Sequence, residues 1–221
     1  MKEITISSFQ KLHNAFETTR SWKTIFRGQN DALWRLVPAA GRLKGFADDG
    51  AFDYWLKKTA KHLTRLNFKN KLEQLAIAQH HGLPTRLLDW TTNPLAAAFF
   101  AVAGSDCKSH AAIYALELET TVGAEQLENP FDEDNVSVYR YDPPSIDDRI
   151  FAQHGVFTLH ASPEVDVLEE FVESNNLVKY IISKEYINKL ARELDGYGIN
   201  YMTMYPDMDG ASKYVLWHMD K

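Results

Sequence analysis

Hydrophobic residues recur with two periods along this chain. "EITISSF" alternates at its start as a strand does, and Ser8 then caps a helix in which Phe9, Leu12, Ala15 and Phe16 share a face. "WKTIFRGQ" (22–29) predicts a short strand that breaks at Gly28, and residues 30–43 are irregular around Pro38 and Gly41. From Ala51 the period becomes helical: Phe52, Trp55, Leu56, Ala60, Leu63 and Leu66 fall on one side, with lysines opposite. A second helix is predicted over Lys71–His81, stopping at Gly82. "LPTRLLDWTT" is a strand-like threshold. Asn93 then caps a helix with Pro94 at its first position, and "LAAAFFAVA" is apolar enough to be buried all round.

The second half predicts strands at "HAAIYALEL", "VSVYRY", "VFTLHA" and "NLVKYIIS". "PPSIDDRIFAQHG" reads as a turn and short helix ending before Gly155. "KEYINKLARELDGYG" is an amphipathic helix closed by Gly196, and helical pieces surround a "PDMDG" turn in the tail. Strands and helices mix without strict βαβ alternation. The expected class is therefore α+β, a mixed or antiparallel sheet core with surrounding helices, in a single domain over residues 1–221.

Composition narrows the function classes. A hydrophobic share of 45% supports a sizeable core, and a formal net charge of −6 argues against a broad nucleic-acid-binding face while leaving room for a local basic pocket. The single Cys107 can form no internal disulfide and fits a reducing compartment. The first residues hold no apolar signal-peptide core, and no run approaches a membrane span. A cytoplasmic protein without membrane partners is expected.

Several polar groups stand at the entrance to the apolar helix. Paired His80 and His81 near Asp89 have the right chemistry for a metal, but adjacent helical residues diverge by about 100° and the i,i+4 spacing of a zinc helix is absent. Arg86 and Asp89 either pair to tie a loop down or leave Arg86 to meet an anion with its fork of donors. Arg27 in "FRGQ" either caps carbonyls at a strand end or faces a ligand that Gly28 lets approach. Asp147, Asp148, Arg149, Gln153 and His154 suit a site wall or an exposed helix equally. Asp207 and Asp209 suit a turn better than a metal. A metal-dependent nuclease built from His80, His81, Asp207 and Asp209 lacks a tight ligand set, and no metal is expected. Walker, G-x-G-x-x-G, H-E-x-x-H and G-x-S-x-G signatures are absent.

"FRGQ" (26–29), "LWRLVPAAGR" (33–42), "QHHGLPTRLLDWTTNPLAAAFFA" (79–101), "RIFAQHGVF" (149–157) and "GIN" followed by "YPDMDG" resemble the FRG domain family in motif and order, over nearly the whole chain. That family occurs mainly in bacteria and phages, and the resemblance implies a toxin-like or phage-defence role. The motif order is also similar to the ADP-ribosyltransferase fold of the Arg-Ser-Glu type. "IFRGQ" looks like its NAD-contacting Arg-Gly strand. "DWTTNPLAAAFF" looks like its second element, with Thr91 and Thr92 in place of serines.

That similarity implies a cleft binding NAD or a related nucleotide. The implied ligand-binding residues are Arg27, Gly28, Gln29, Arg86, Asp89, Trp90, Thr91 and Thr92, with Arg86 and Asp89 as supports. The implied catalytic group is Arg27, Asp148, Arg149 and Gln153. The third element of that fold carries a Glu, whose charge supports an oxocarbenium-like transition state. Here Arg149 stands nearest to that place. Three readings stay open: Asp148 serves as the carboxylate, the site does other chemistry, or the domain senses a nucleotide without cleaving it. Glu117 and Glu119 are further carboxylate candidates or a solvent face. A macromolecular target or regulatory partner is implied without being identified. The analogy requires Arg27 and Thr91 to lie within roughly 15 Å, the span of a small pocket.

Overall fold

The computed structural model describes residues 1–19, 21–64, 66–132, 138–144, 147–171, 173–174 and 176–219. The chain opens with β1 (Lys2–Ile6), α1 (Phe9–Thr19) and β2 (Thr24–Gln29). After a 3-10 turn at Ala40–Arg42 come α2 (Asp48–Leu63), α3 (Lys71–His80), β3 (Leu87–Thr91) and α4 (Pro94–Val102). The second half is β4 (Ala111–Glu117), α5 (Ala124–Glu128), β5 (Val138–Tyr141), α6 (Asp148–Ala152), β6 (Gly155–His160), α7 (Val167–Phe171) and β7 (Leu177–Ile182). Three helices close it: α8 (Ile187–Gly196), α9 (Tyr201–Met204) and α10 (Met208–Met219). No helix among the described residues is long and apolar enough to cross a membrane.

The fold is α+β. One sheet runs in the order β1-β7-β4-β2-β3-β6-β5, with β1–β7 parallel and the other pairs antiparallel. Directly opposed residues share a sheet face, and Phe26 opposes Thr91. Phe26 joins a core built with α1, α4 and α8 through Phe16, Ala97 and Leu190. Leu87, two alternations from Thr91, joins a second core built with α2 and α3 through Phe52, Leu72 and Leu75. Two helical layers therefore cover the same face, one on each side of the β2–β3 junction. The opposite face buries Ile25, Tyr114 and Trp90 under Leu36 and Val167, mostly beneath irregular chain.

The local signals explain these elements. Asn70 Oδ1 accepts from Glu73 N (2.9 Å) to start α3, and Asn93 Oδ1 accepts from Leu95 N (2.9 Å) to start α4. The expected strands form, although residues 136–137 of the "VSVYRY" strand and 145–146 of the turn before α6 lie outside the described residues. The short helices α5 and α7 carry too few residues for a periodic signal. Leu66 lies beyond the end of α2 and is exposed, so it does not extend that helix's buried face. Gly196 remains helical, and Gly198, at φ +77°, makes the left-handed turn after α8.

Gly28 does not break β2, which continues to Gln29 with Gly28 opposite Ile113. A Cβ on Gly28 would stand 2.0 Å from Ala97 O and 2.5 Å from Ala101 N, both in the backbone of α4. The glycine is thus where the sheet and the buried helix touch. Gly28→Ala is expected to cost about 3 kcal/mol or more, because the obstructing atoms are main chain rather than a flexible side chain. Urea denaturation checks this.

His160 is fully buried at the end of a polar chain in which Trp90 Nε1 donates to Thr158 Oγ1 (2.9 Å) and that hydroxyl meets His160 Nε2 (2.9 Å). Burial is the main cause that lowers its pKa from 6.5 to about 4. Between those values the unfolded chain binds the proton and the folded chain does not, so stability falls as pH drops from 6.5 toward 4. His160→Gln should flatten that limb of the stability–pH curve relative to wild type in urea melts.

Candidate functional site

β2 and β3 touch at one residue pair, Phe26 with Thr91, whereas β2 pairs with β4 over six and β3 with β6 over five. Past that pair the strands part. The gap opens into a cleft of about 390 Å³, within the range of small-molecule sites. Its floor comes from β2, β3 and β6. Gln79 and His80 from the last turn of α3 form one wall, and Arg149, Ile150 and Gln153 from α6 and its end form another, with Phe100 of α4 at the side.

Arg27 spans the gap. Its Nη1 donates to Asp89 O at 2.5 Å and lies 3.7 Å from Asp89 Oδ2. The side chain is only 16% exposed, and its Nε is buried without a hydrogen-bond partner. Burial is the largest influence on its pKa and lowers it, while Asp89 opposes that shift. The Asp89 side chain is 65% exposed. Gln79 Nε2 donates to Asp89 Oδ1 at 2.7 Å, and Gln79 Oε1 in turn accepts from the Thr85 hydroxyl. One carboxylate oxygen is thereby held by the wall while the other lies nearer Arg27.

On the far wall, Asp147 caps α6 by accepting from Arg149 N at 2.8 Å, and its Oδ2 lies 3.4 Å from His80 Nε2. Burial lowers the His80 pKa, with Asp147 opposing and Arg149 reinforcing. The Arg149 guanidinium lies 4.3 Å from the centroid of the Tyr205 ring, a cation–π distance. Gln153 Nε2 donates to Met204 O at 2.9 Å and ties this wall to α9.

Arg27, Gly28, Asp89, Trp90, Thr91, Arg149 and Gln153 all line this cleft. Arg27 and Thr91 are near neighbours across the junction, well inside the span the analogy requires. The Thr91 hydroxyl donates to Gln153 O (2.7 Å) and accepts from Asn93 N (3.0 Å), so it joins β3 to the far wall. The Trp90 side chain packs into the core of the opposite face. Thr92 lines a separate hollow with Phe9, Trp22 and His154. Gln29 is buried, with its Nε2 3.3 Å from Arg35 O. Asp148 is exposed and outside the cleft lining, as are Glu117 and Glu119, the latter paired with Lys23.

Arg86 and Asp89 do not pair with each other. Three residues apart at a strand, they project to opposite faces. Arg86 is buried in a two-point bond with Asp48 at the start of α2 (2.9 Å and 2.9 Å), and its Nη1 donates to Ala161 O (2.8 Å). It fastens α2 to the sheet and does not line the cleft. Gln79 and Tyr205 were not legible as site residues. The only cue is that "AQHHG" is the last helical turn before Gly82, where a helix hands its polar groups to the next strand. No group of three or more His, Cys, Asp or Glu side chains placed to hold a metal occurs among the described residues.

A seven-stranded α+β domain, parted at its centre and bridged there by an arginine, is the class that this geometry defines. The model of the FRG domain family matches residues 22–110, so the chain carries an FRG domain. The match spans β2, α2, α3, β3 and α4 and leaves Arg149 and Gln153 outside. No curated protein and no solved structure matches the chain.

Asp48→Ala would leave the Arg86 charge buried without its carboxylate and should cost about 3–5 kcal/mol, whereas the double change Asp48→Leu with Arg86→Met should recover much of that loss. A urea-denaturation cycle over the four proteins reads both effects.

Proposed function

We propose that the FRG domain binds NAD or a related nucleotide in the cleft between β2 and β3, in an arrangement like that of the ADP-ribosyltransferase fold. The observation that carries this reading is Arg27: a guanidinium held across the parted strands, with a buried Nε that has no hydrogen-bond partner. Leaving such a donor unpaired is costly, and a phosphate or ribose oxygen would satisfy it. Arg149 supplies a second cation on the facing wall. Thr91 ties the Arg149 wall to the floor strand β3, and Gln153 ties the same wall to α9.

Asp89 favours a second reading, in which the nucleotide is also cleaved. It is the one carboxylate among the described residues that line the cleft, and Gln79 orients it. When the bond between nicotinamide nitrogen and ribose C1′ breaks, its electron pair leaves with nicotinamide and positive charge grows on the ribose. A fixed carboxylate stabilises that charge. Water or a hydroxyl or amine of a target then forms the new bond to C1′ and gives up its proton. An NAD-consuming activity would suit a toxin or an anti-phage effector. A domain that binds without cleavage would act as a sensor.

Calorimetry with NAD should show binding that Arg27→Ala weakens by about 30-fold or more, the worth of charge-assisted hydrogen bonds. Nicotinamide release that disappears in Asp89→Asn, with NAD binding retained, supports cleavage. Binding without release supports sensing, and no binding by the wild type rejects both readings.

A further inference from the structure

Between residues 54 and 72 the sequence holds six basic residues and no Asp or Glu, in a chain whose formal net charge is −6. On α2, Tyr54, Lys57, Lys58 and Lys61 stand at i, i+3, i+4 and i+7 and are exposed, opposite the side that buries Phe52. Tyr54 is 61% exposed, and Lys58 Nζ lies 5.1 Å from its ring centroid. Four lysines elsewhere sit beside carboxylates, Lys23 with Glu119, Lys108 with Asp106, Lys179 with Glu3 and Lys189 with Glu193, while Lys2, Lys11, Lys44, Lys184 and Lys213 are scattered along the chain without an ion pair among the described residues. Among the described residues, Lys57, Lys58, Lys61, Lys69 and Lys71 form no ion pair.

Beside this stripe lies a hollow of about 690 Å³ between α2 and α3, lined by Trp55, His62, Leu63, Ile77 and His81 among others. The C-terminal turns of α3 separate this hollow from the cleft: Ile77 and His81 face the hollow, and Gln79 and His80 face the cleft.

We propose that the outer face of α2 and the adjoining hollow form a docking surface for single-stranded nucleic acid. Unpaired lysines neutralise backbone phosphates, and the aromatic among them offers a base a stacking partner. The hollow, with aromatic and apolar walls, takes a splayed base. A membrane surface fits less well, because the outward stripe carries one aromatic and no aliphatic anchor. An acidic peptide would match the charge but leave the exposed ring and the hollow unused. The charge pattern is local and agrees with an acidic chain overall.

The test is fluorescence anisotropy of a labelled oligouridylate of about 16 nucleotides, titrated with the full chain over a range of salt. Binding should weaken with salt. Lys57→Gln, Lys58→Gln and Lys61→Gln together should reduce affinity at least tenfold and flatten the log–log salt slope by about 2, near 0.7 for each phosphate no longer neutralised. Tyr54→Ala should weaken binding at an unchanged slope. Arg27→Ala should leave it unaltered, which separates this surface from the reading of the cleft. These positions are exposed, and matched melting transitions confirm folding. Absence of salt-dependent binding by the wild type, equal binding by the triple variant, or equally tight binding of polyglutamate would overturn the proposal.

Discussion

The single residue pair joining β2 to β3 is the constraint on which this molecule turns. A sheet interior ordinarily satisfies its main chain by laddering along the whole strand. Here the ladder stops after Phe26 and Thr91, and the Arg27 side chain supplies a bond to the Asp89 carbonyl in the gap. Two helical layers rest on the same face on either side of this junction, so the parting becomes a walled cleft. Gly28 holds one lip against α4, and the Asp48–Arg86 pair fastens α2 beside the other. The Phe-Arg-Gly sequence is thus a mechanical unit. The phenylalanine anchors the strand in the core, the arginine crosses the opening, and the glycine lets the helix seat against the backbone.

Much of the architecture was legible because its signals are local. Ser8 and Asn93 announce helix starts, Gly82 announces a stop, and the strands alternate or run apolar as their burial demands. What escaped depends on distance. Nothing in the spacing of Arg86 and Asp89 says that one answers Asp48 and the other Arg27, since those partners lie 38 and 62 residues away. Asp89 looked like a support and is the carboxylate among the described residues that line the cleft. Asp148, chosen because it neighbours Arg149, points to solvent, while Asp147 before it caps the helix and faces His80. Adjacent residues on a short helix diverge, and only the packing of that helix decides which one turns inward.

Gly28 depends on distance in the same way. A glycine after an arginine in a strand is equally compatible with a turn, a ligand and a packing contact. The three differ in what lies above the missing Cβ, and here that is the backbone of a helix that begins 66 residues later. The same residue also borders the cleft, so one absent side chain serves the core and the opening together.

The matched segment, residues 22–110, also bears on modularity. It supplies the two central strands of the sheet, β2 and β3, but neither of their outer neighbours: β4 begins at Ala111, and β6 arrives at Gly155. Excised alone, it would present two raw strand edges joined to each other at one point, with no sheet to keep them from pairing with other chains. The recognisable motif is therefore a keystone rather than a building block. It is held in place by flanking sequence that closes the arch on both sides.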